Sequence, residues 1–233
     1  MPAFIHVTER PDVRIVHSSR RDGDFHPASA SIGATRAALL SHGPSSASRL
    51  VWSQLTEDHG VIVRSIEAPG DHDGSVGDVA ITRVPAAVLG VWVGDCVPVV
   101  LLGREWIAGV HAGWRGARDG VLDRAIEAMV NQGDAPSVAV IGAHIGPCCY
   151  EFGPADLDHM ERIFGSHVRS IDARGRPSLD MGALVRRSLR ERITGVRIIE
   201  VGSCTGCGDE LFFSHRSRGE TRRHVLAVWR EVA

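Results

Sequence analysis

The sequence predicts an α/β fold of the mixed α+β kind: a single domain in which helices flank mixed sheets and the functional site lies at strand ends. The 233 residues are 43% hydrophobic and 23% charged, the composition of a globular chain long enough to bury one large core. Strand-like runs outnumber helical patterns and do not alternate with them one for one. No internal repeat or low-complexity segment divides the chain, so residues 1–233 are predicted to form one domain.

The predicted strands are short apolar runs rich in β-branched residues. Helices are predicted where apolar residues recur at helical spacing, and one of them also opens with Pro and Asp, a typical start signal. The strands are predicted at residues 13–16, 61–63, 87–93, 97–102, 106–111, 138–141, 196–201 and 224–229. The helices are predicted at residues 121–130, 154–164 and 179–193. Residues 18–48 are polar and weakly patterned, and residues 71–77 are predicted as a loop.

Composition and the N-terminus exclude several classes of protein. The net charge of −2 offers no basic surplus for nucleic acid. The first residues lack a basic segment followed by an apolar stretch, and apolar runs such as residues 96–102 are far too short to span a bilayer. Five cysteines, two of them adjacent, make a poor disulfide framework and suit free thiols or metal ligands. We therefore expect a cytoplasmic protein that binds neither nucleic acid nor membranes.

Two segments could bind an anion. Residues 110–116 contain His-Ala-Gly-Trp-Arg-Gly and are predicted as a strand end, a tight turn and a helix that begins near Ala117. A turn that leads into a helix presents unpaired N–H groups, and Arg115 could bind a phosphate through two hydrogen bonds. The basic stretch before the last predicted strand contributes Arg216 and Arg223 as a candidate anion clamp. A surface arginine and a solvated loop are the structural alternatives.

Three candidate metal ligands lie at predicted strand ends: His59, Cys96 and His111. They are 37 and 15 residues apart, so only tertiary folding could bring them together. Three nitrogen and sulfur ligands with an open fourth position are typical of a catalytic zinc site, and thiolate with imidazole suits zinc better than magnesium or calcium. Asp95, beside Cys96, could orient a ligand or could be only a structural turn acid.

The other four cysteines are Cys148 and Cys149, in a Gly-Pro turn, and Cys204 and Cys207, in a Cys-x-x-Cys pattern. Adjacent cysteines of an extended chain point to different sides, so at most one of them is expected to face a site, and Cys149 is the candidate. Cys-x-x-Cys is half of a structural zinc site or a redox pair. Because no second such pair exists in the sequence, neither role is predicted here.

The chain carries five segments in a characteristic order: Cys-Val-Pro-Val from Cys96, His-Ala-Gly-Trp-Arg-Gly from His111, Ile-Gly-Pro-Cys-Cys-Tyr-Glu from Ile145, Cys-Thr at Cys204, and Phe-Ser at Phe213 followed by arginines. Together they resemble the laccase-domain family, also called the peptidoglycan-editing-factor family and related to mammalian FAMIN. The resemblance runs from about residue 49 to the C-terminus, and residues 1–48 form a divergent N-terminal part.

The resemblance implies one zinc ion held by His59, Cys96 and His111 in a cleft at strand ends, with Asp95 beside it in the catalytic group. It implies a purine nucleoside phosphorylase that acts on adenosine, inosine and methylthioadenosine, with adenosine deamination alongside. A nucleoside and phosphate would be its partners. From the residues themselves, Arg115, Arg216 and Arg223 are the candidates to bind phosphate, and Cys149 is a candidate substrate contact.

The sequence departs from the family pattern before the first histidine of the site. Where the family has Gln-Val-His-Gly, this chain has Gln54-Leu-Thr-Glu-Asp-His-Gly, so either an insertion displaces Gln54 or Glu57 takes its place. Further upstream, Ser31 and Thr35 stand where asparagine is usual. Substrate contacts from the N-terminal part of the chain are therefore left open.

Other interpretations of the same residues stay open. Cys96 and His111 could be the nucleophile and base of a cysteine hydrolase acting on peptidoglycan precursors, which members of the family are linked to correcting. A zinc-stabilised binding module is the non-enzymatic alternative. The older family label, multicopper polyphenol oxidase, would need several coppers and His-x-His pairs, whereas the twelve histidines here are all separate. Any oxidase activity would then be a minor one that depends on adventitious copper.

Overall fold

The computed structural model describes residues 2–42 and 49–231, and within them thirteen strands and six α-helices. Strands β1–β13 are, in order, Ala3–Ile5, Val13–His17, Val51–Gln54, Val63–Ser65, Val79–Thr82, Ala87–Val93, Val97–Leu102, Ile107–Ala112, Val138–Ile141, Arg169–Ile171, Pro177–Leu179, Arg197–Glu200 and His224–Arg230. Helices α1–α6 are Ile32–Ser41, Trp114–Arg118, Val121–Asn131, Pro154–Phe164, Met181–Arg192 and His215–Arg218.

Two mixed sheets form the centre of the described structure. The first has the strand order β1-β2-β13-β6-β3, in which β3 runs parallel to β6 and the other pairs are antiparallel. The second has the order β12-β9-β7-β8-β5-β4, parallel at both edges and antiparallel in between. Strands β10 and β11 form a separate antiparallel pair. The predicted mixed fold in a single domain is therefore confirmed.

The side chains of β7 show how the layers are stacked. Val99 and Leu101 belong to a core cluster that also contains the apolar faces of α3 and α5. Val100 and Leu102 point to the opposite face, because side chains alternate along a strand, and they pack with residues of the first sheet. A third cluster on the far side of the first sheet is covered by α1 and Phe25. Helices, second sheet, first sheet and N-terminal segment thus form successive layers.

Most predicted elements are confirmed, and several have the predicted bounds. Strands β6, β7 and β9 and helix α4 match their predictions at both ends. The strand predicted at residues 61–63 was placed wrongly, since β4 is Val63–Ser65. Ile62 is not part of that ladder, because its carbonyl accepts hydrogen bonds from the N–H groups of Asp78 and Val79 where the chain enters the sheet.

Two helices begin at residues other than those predicted. The helix predicted from Ala117 begins at Trp114, directly after Gly113, which is extended. The helix predicted from residue 179 begins at Met181, because Asp180 accepts a hydrogen bond from a first-turn N–H group and caps the helix there. The segment at residues 71–77 forms turns, as predicted. Of residues 18–48, residues 43–48 lie outside the described part, and α1 was not predicted.

We expect Leu101→Ala to lower the free energy of unfolding by about 2–5 kcal/mol, because the side chain is fully buried where β7 meets the helical layer and its loss leaves a cavity. Urea unfolding measures the effect. The matched control is Leu211→Ala, at a leucine that is 47% exposed, for which a change within about 0.5 kcal/mol is expected. Equal effects of the two substitutions would contradict this description of the core.

Candidate functional site

The structure brings together the three predicted metal ligands. His59 lies in the loop after β3, Cys96 directly precedes β7, and His111 is in β8. β7 and β8 are antiparallel neighbours in which Val97 lies opposite Ala112, so Cys96 reaches the end of β8 where His111 stands. One donor atom from each of the three side chains lies within 4.8 Å of the other two. The pairing of β7 with β8 and the loop after β3 thus bring together residues that are 37 and 15 positions apart in the sequence.

The backbone packs closely around the three donors and has an unusual conformation at two positions. Gly113 directly follows β8, and a Cβ atom there would lie 3.2 Å from His59 Nδ1 and 3.3 Å from Cys96 Sγ. His59 has a φ of 54°, in the left-handed region, and Asp95 has a φ of 135°. Non-glycine residues adopt such values rarely, and clusters of them are typical of functional sites.

Asp78 orients His111 and the loop that carries His59. Its Oδ1 lies 3.1 Å from His111 Nδ1, so a proton on Nδ1 leaves Nε2 free as a metal donor. Oδ2 accepts a hydrogen bond from the N–H of Gly60, next to His59. Burial opposes the ionisation of Asp78, but these hydrogen bonds and the charge of His111 hold its pKa below the ordinary value. Asp78 was not predicted as a site residue, because β5, which it precedes, was not predicted either.

Glu57, and not Gln54, lies at the site. Glu57 Oε2 is 3.0 Å from His111 Nε2, and its Oε1 is 3.9 Å from His59 Nε2. Gln54 is fully buried in β3, where its amide donates to the carbonyl of Phe25. Gln54 is therefore absent from the site, and Glu57 is the residue of this segment that lies beside the donors.

The three donors fit a metal ion that prefers nitrogen and sulfur ligands. His111 Nε2 and Glu57 Oε2 are buried and close together, yet neither forms a hydrogen bond of acceptable geometry. Burial opposes the ionisation of Cys96, but the imidazoles of His111 and His59 outweigh it and lower the pKa of the thiol. Thiolate is the form that binds metal, and thiolate with imidazole is a donor set for zinc or copper.

A cleft lies beside these donors. Its lining residues, in addition to the donors Cys96 and His59, are Glu57, Gly94, Asp95, Tyr150, His215, Arg216 and Arg223. The guanidinium of Arg216 stacks over the ring of Tyr150, 4.8 Å from its centroid, and donates to the carbonyl of Glu151. Two predicted anion-binding arginines thus share a cleft with two of the three metal donors, His59 and Cys96. Arg115 is exposed, stacks on Trp114 at 4.6 Å and is not among the lining residues.

Asp95 organises the wall of the cleft that carries Arg216. Its Oδ1 accepts hydrogen bonds from Thr205 Oγ1 at 2.6 Å and Ser214 Oγ at 2.7 Å, and its Oδ2 accepts one from the Arg216 N–H at 2.6 Å. The side chain is buried, so these bonds use both carboxylate oxygens inside the protein. These contacts hold the Arg216 segment and reach no metal donor, so they support the structural role considered for Asp95 and not the orientation of a metal ligand.

The remaining four cysteines form a second cluster. The Sγ atoms of Cys148, Cys149, Cys204 and Cys207 all lie within 4.8 Å of one another. The expectation that Cys-x-x-Cys lacks a partner pair is therefore wrong, because the adjacent cysteines supply it. Cys149 belongs to this cluster and is not among the residues that line the cleft. Burial and the neighbouring thiols raise the pKa of Cys148 to about 12.

Fold and site define a class: a mixed α/β protein with a His/Cys/His metal-donor group at strand ends, two members of which line a cleft. The chain belongs to the family described as multi-copper polyphenol oxidoreductase laccase, whose family model matches residues 23–231. This confirms the resemblance found in the sequence. No helix in residues 2–42 and 49–231 is long and apolar enough to cross a membrane.

Two relatives are similar to this chain in sequence, and one solved structure is similar to it in fold. The chain is 32% identical over 153 residues to "Purine nucleoside phosphorylase" of Aquifex aeolicus, covering 65% of this chain and 70% of that one. It is 34% identical over 208 residues to a protein of the same name from Mycobacterium tuberculosis, covering 87% and 80%. Its fold is that of YfiH from Bacillus licheniformis, with a TM-score of 0.84, 23% identity and coverage of 99% and 97%.

Proposed function

We propose that this protein is a zinc-dependent purine nucleoside phosphorylase that cleaves adenosine, inosine and methylthioadenosine with inorganic phosphate, with adenosine deamination as a side activity. The observation that carries the proposal is one cleft lined by two members of the His/Cys/His donor group, His59 and Cys96, and by two arginines, Arg216 and Arg223. Two relatives named purine nucleoside phosphorylase, at 32% and 34% identity, support the same activity.

The zinc ion would be held by His59, Cys96 and His111, with Asp78 fixing the ring of His111. When bound, zinc supplies a Lewis acid for a substrate oxygen and lowers the pKa of a water molecule, which deamination of a purine needs. Arg216 and Arg223 would bind phosphate, since guanidinium groups match phosphate oxygens with paired hydrogen bonds. Arg115 is left out of this role because it lies outside the lining of the cleft.

Glu57 and Asp95 would have separate parts in the reaction. Cleavage of the glycosidic bond develops positive charge on the ribose, and the carboxylate of Glu57 in the cleft would stabilise it. Asp95 would keep the backbone of Arg216 in place through its hydrogen bond to the N–H group. Holding phosphate and nucleoside next to each other can itself lower the barrier by about 7–11 kcal/mol.

The test is a product assay on metal-quantified protein with adenosine and inosine, with and without phosphate. We expect ribose 1-phosphate and free purine base only when phosphate is present, and some inosine from adenosine. Free ribose without phosphate would indicate a hydrolase. No turnover of any nucleoside by folded, zinc-loaded protein would refute the proposal. A parallel assay of copper-loaded protein with a phenolic substrate measures the minor oxidase activity.

A cysteine hydrolase acting on peptidoglycan precursors is the second candidate, because Cys96 next to two imidazoles also has the surroundings of an activated nucleophile. The two functions respond to metal in opposite ways. Zinc added back to metal-stripped protein should restore phosphorolysis, whereas it should inhibit a thiolate nucleophile by binding it. A covalent adduct of Cys96 formed during turnover of a muropeptide would favour the hydrolase.

We expect Asp78→Asn to weaken zinc binding at the His/Cys/His group by about 10–100-fold, because the carboxylate that orients the ring of His111 is lost. Competition with a chromophoric chelator measures the affinity. The matched control is Asp58→Asn in the same loop, where the residue is exposed. It should bind zinc as the wild type does, and equal losses in the two variants would count against a specific role for Asp78.

A further inference from the structure

The four-cysteine cluster, formed by Cys148, Cys149, Cys204 and Cys207, is unused by the proposed reaction. Cys207 Sγ lies 3.3 Å from Cys149 Sγ and 3.4 Å from Cys148 Sγ. All four thiols are free. Four sulfurs bound tetrahedrally to zinc at about 2.3 Å lie roughly 3.8 Å apart, close to the spacing found here. Each sulfur can therefore reach one common central ion.

The local backbone explains how adjacent cysteines contribute together. Cys148 and Cys149 lie in the 3₁₀ turn Pro147–Cys149, where successive side chains are about 120° apart, not on opposite sides as in a strand. A Cβ atom at Gly206 would lie 2.5 Å from Cys149 Cβ. Only glycine at that position allows the two turns to approach so closely.

A backbone donor also faces one of the sulfurs. The N–H of Gly146 donates to Cys204 Sγ at 3.1 Å. Such bonds stabilise thiolates, which are the form that binds metal. Four thiols crowded together cannot all ionise without a cation, because neighbouring thiolates repel one another. A divalent ion removes that repulsion, and each thiol that binds releases its proton to solvent.

We propose that Cys148, Cys149, Cys204 and Cys207 bind a second zinc ion with a structural role. All four positions of this ion are filled by protein sulfur, the arrangement of structural zinc sites, in contrast to the three-donor group in the cleft. Among metals that prefer thiolate, zinc has no redox chemistry and accepts tetrahedral geometry without strain.

The second zinc ion holds together two turns that each support a residue lining the cleft, Tyr150 or Asp95. One turn leads to Tyr150, whose ring lies under Arg216. The other contains Thr205, which donates to Asp95. Arg218 donates to the carbonyls of Thr205 and Gly206 and links the same turn to α6. Loss of the ion should therefore loosen the wall that carries Arg216, at a distance from the His/Cys/His group.

The experiment counts zinc per chain in purified, reduced protein and in single variants. Wild type should contain two zinc ions, Cys207→Ser one, and Cys207→His two, because histidine can replace a thiolate ligand. Ser203→Ala, an exposed serine in the same loop, is the control and should keep both. Cys207→Ser should also lower the midpoint of thermal unfolding by about 10 °C.

A second measurement is needed in case Cys207→Ser does not fold. Zinc release from the wild type is then titrated with a mercurial thiol reagent, and the ion held by four thiols should leave as they are modified. Equal zinc content in Cys207→Ser and the wild type, iron in place of zinc at the four cysteines, or a disulfide among them in freshly isolated protein would each refute the proposal. None of these outcomes depends on whether the protein cleaves nucleosides.

Discussion

Replacing Cys96 by alanine is expected to lower kcat/KM for phosphorolysis of adenosine by on the order of 1000-fold and to remove one zinc ion. Cys96 is the only thiol in the His/Cys/His group. Loss of its sulfur leaves two imidazoles, and a metal that supplies several kcal/mol of transition-state stabilisation is then lost. The substitution should leave folding nearly unaffected, because Cys96 lies before β7 and takes no part in the hydrogen-bonded pairing of that strand.

Zinc content, thermal unfolding and initial rates are measured on the same samples of Cys96→Ala and wild type. One remaining zinc ion and a near-normal unfolding midpoint would show that the variant is folded. Asp58→Ala, an exposed residue in the loop of His59, is the control and should keep wild-type rates. Wild-type turnover by Cys96→Ala would contradict the assignment of the site. Loss of turnover with full zinc content would point to a nucleophilic thiol.

Between pH 6.5 and pH 4, the free energy of unfolding is expected to fall by about 3 kcal/mol through His17. Burial lowers the pKa of its imidazole to about 4, although the carbonyl of Ser18 and the charge of Asp22 act in the opposite direction. The unfolded chain takes up this proton below pH 6.5, whereas the folded chain does not until about pH 4. The unfolded state thus binds more protons in this window, and stability is lost as pH falls.

The fully buried ring of His224 stacks on His17, with ring centroids 5.5 Å apart. Burial and the neighbouring charge of His17 hold its pKa well below the ordinary value as well. Its contribution has the same sign as that of His17, so stability in acid should fall more steeply than one histidine would cause.

Urea unfolding of the wild type and His17→Gln at several pH values measures this contribution. Glutamine keeps an acceptor for the N–H of Ala143, which bonds His17 Nε2 at 2.9 Å, but it does not titrate. The difference between the two proteins matters, because acid release of zinc affects both. We expect a shallower loss of stability in His17→Gln, and a wild-type profile in the control His6→Gln at an exposed residue. Parallel profiles for all three would contradict the prediction.

Elements with a strong local pattern were predictable from the sequence. β6, β7 and β9 are continuous apolar runs buried on both faces, and turn residues limit them. Helix α4 opens with Pro154 and is followed by Gly165, signals that do not depend on distant contacts. β3 and β5 were not predicted, although they have four residues each, as β9 does. They are strands in the structure through their hydrogen-bond partners β6 and β8, which come from other segments of the chain.

The sequence by itself determined the chemistry available to this protein: the donor types of His59, Cys96 and His111, the arginines before the last strand, and motifs specific enough to indicate the family. Only the tertiary structure decided which residues meet. It placed Glu57 at the site, Asp78 behind His111, and the cysteine pair of one turn against that of another. The reason is physical: side-chain type is local, whereas a distance between residues dozens of positions apart depends on how sheets pair and pack.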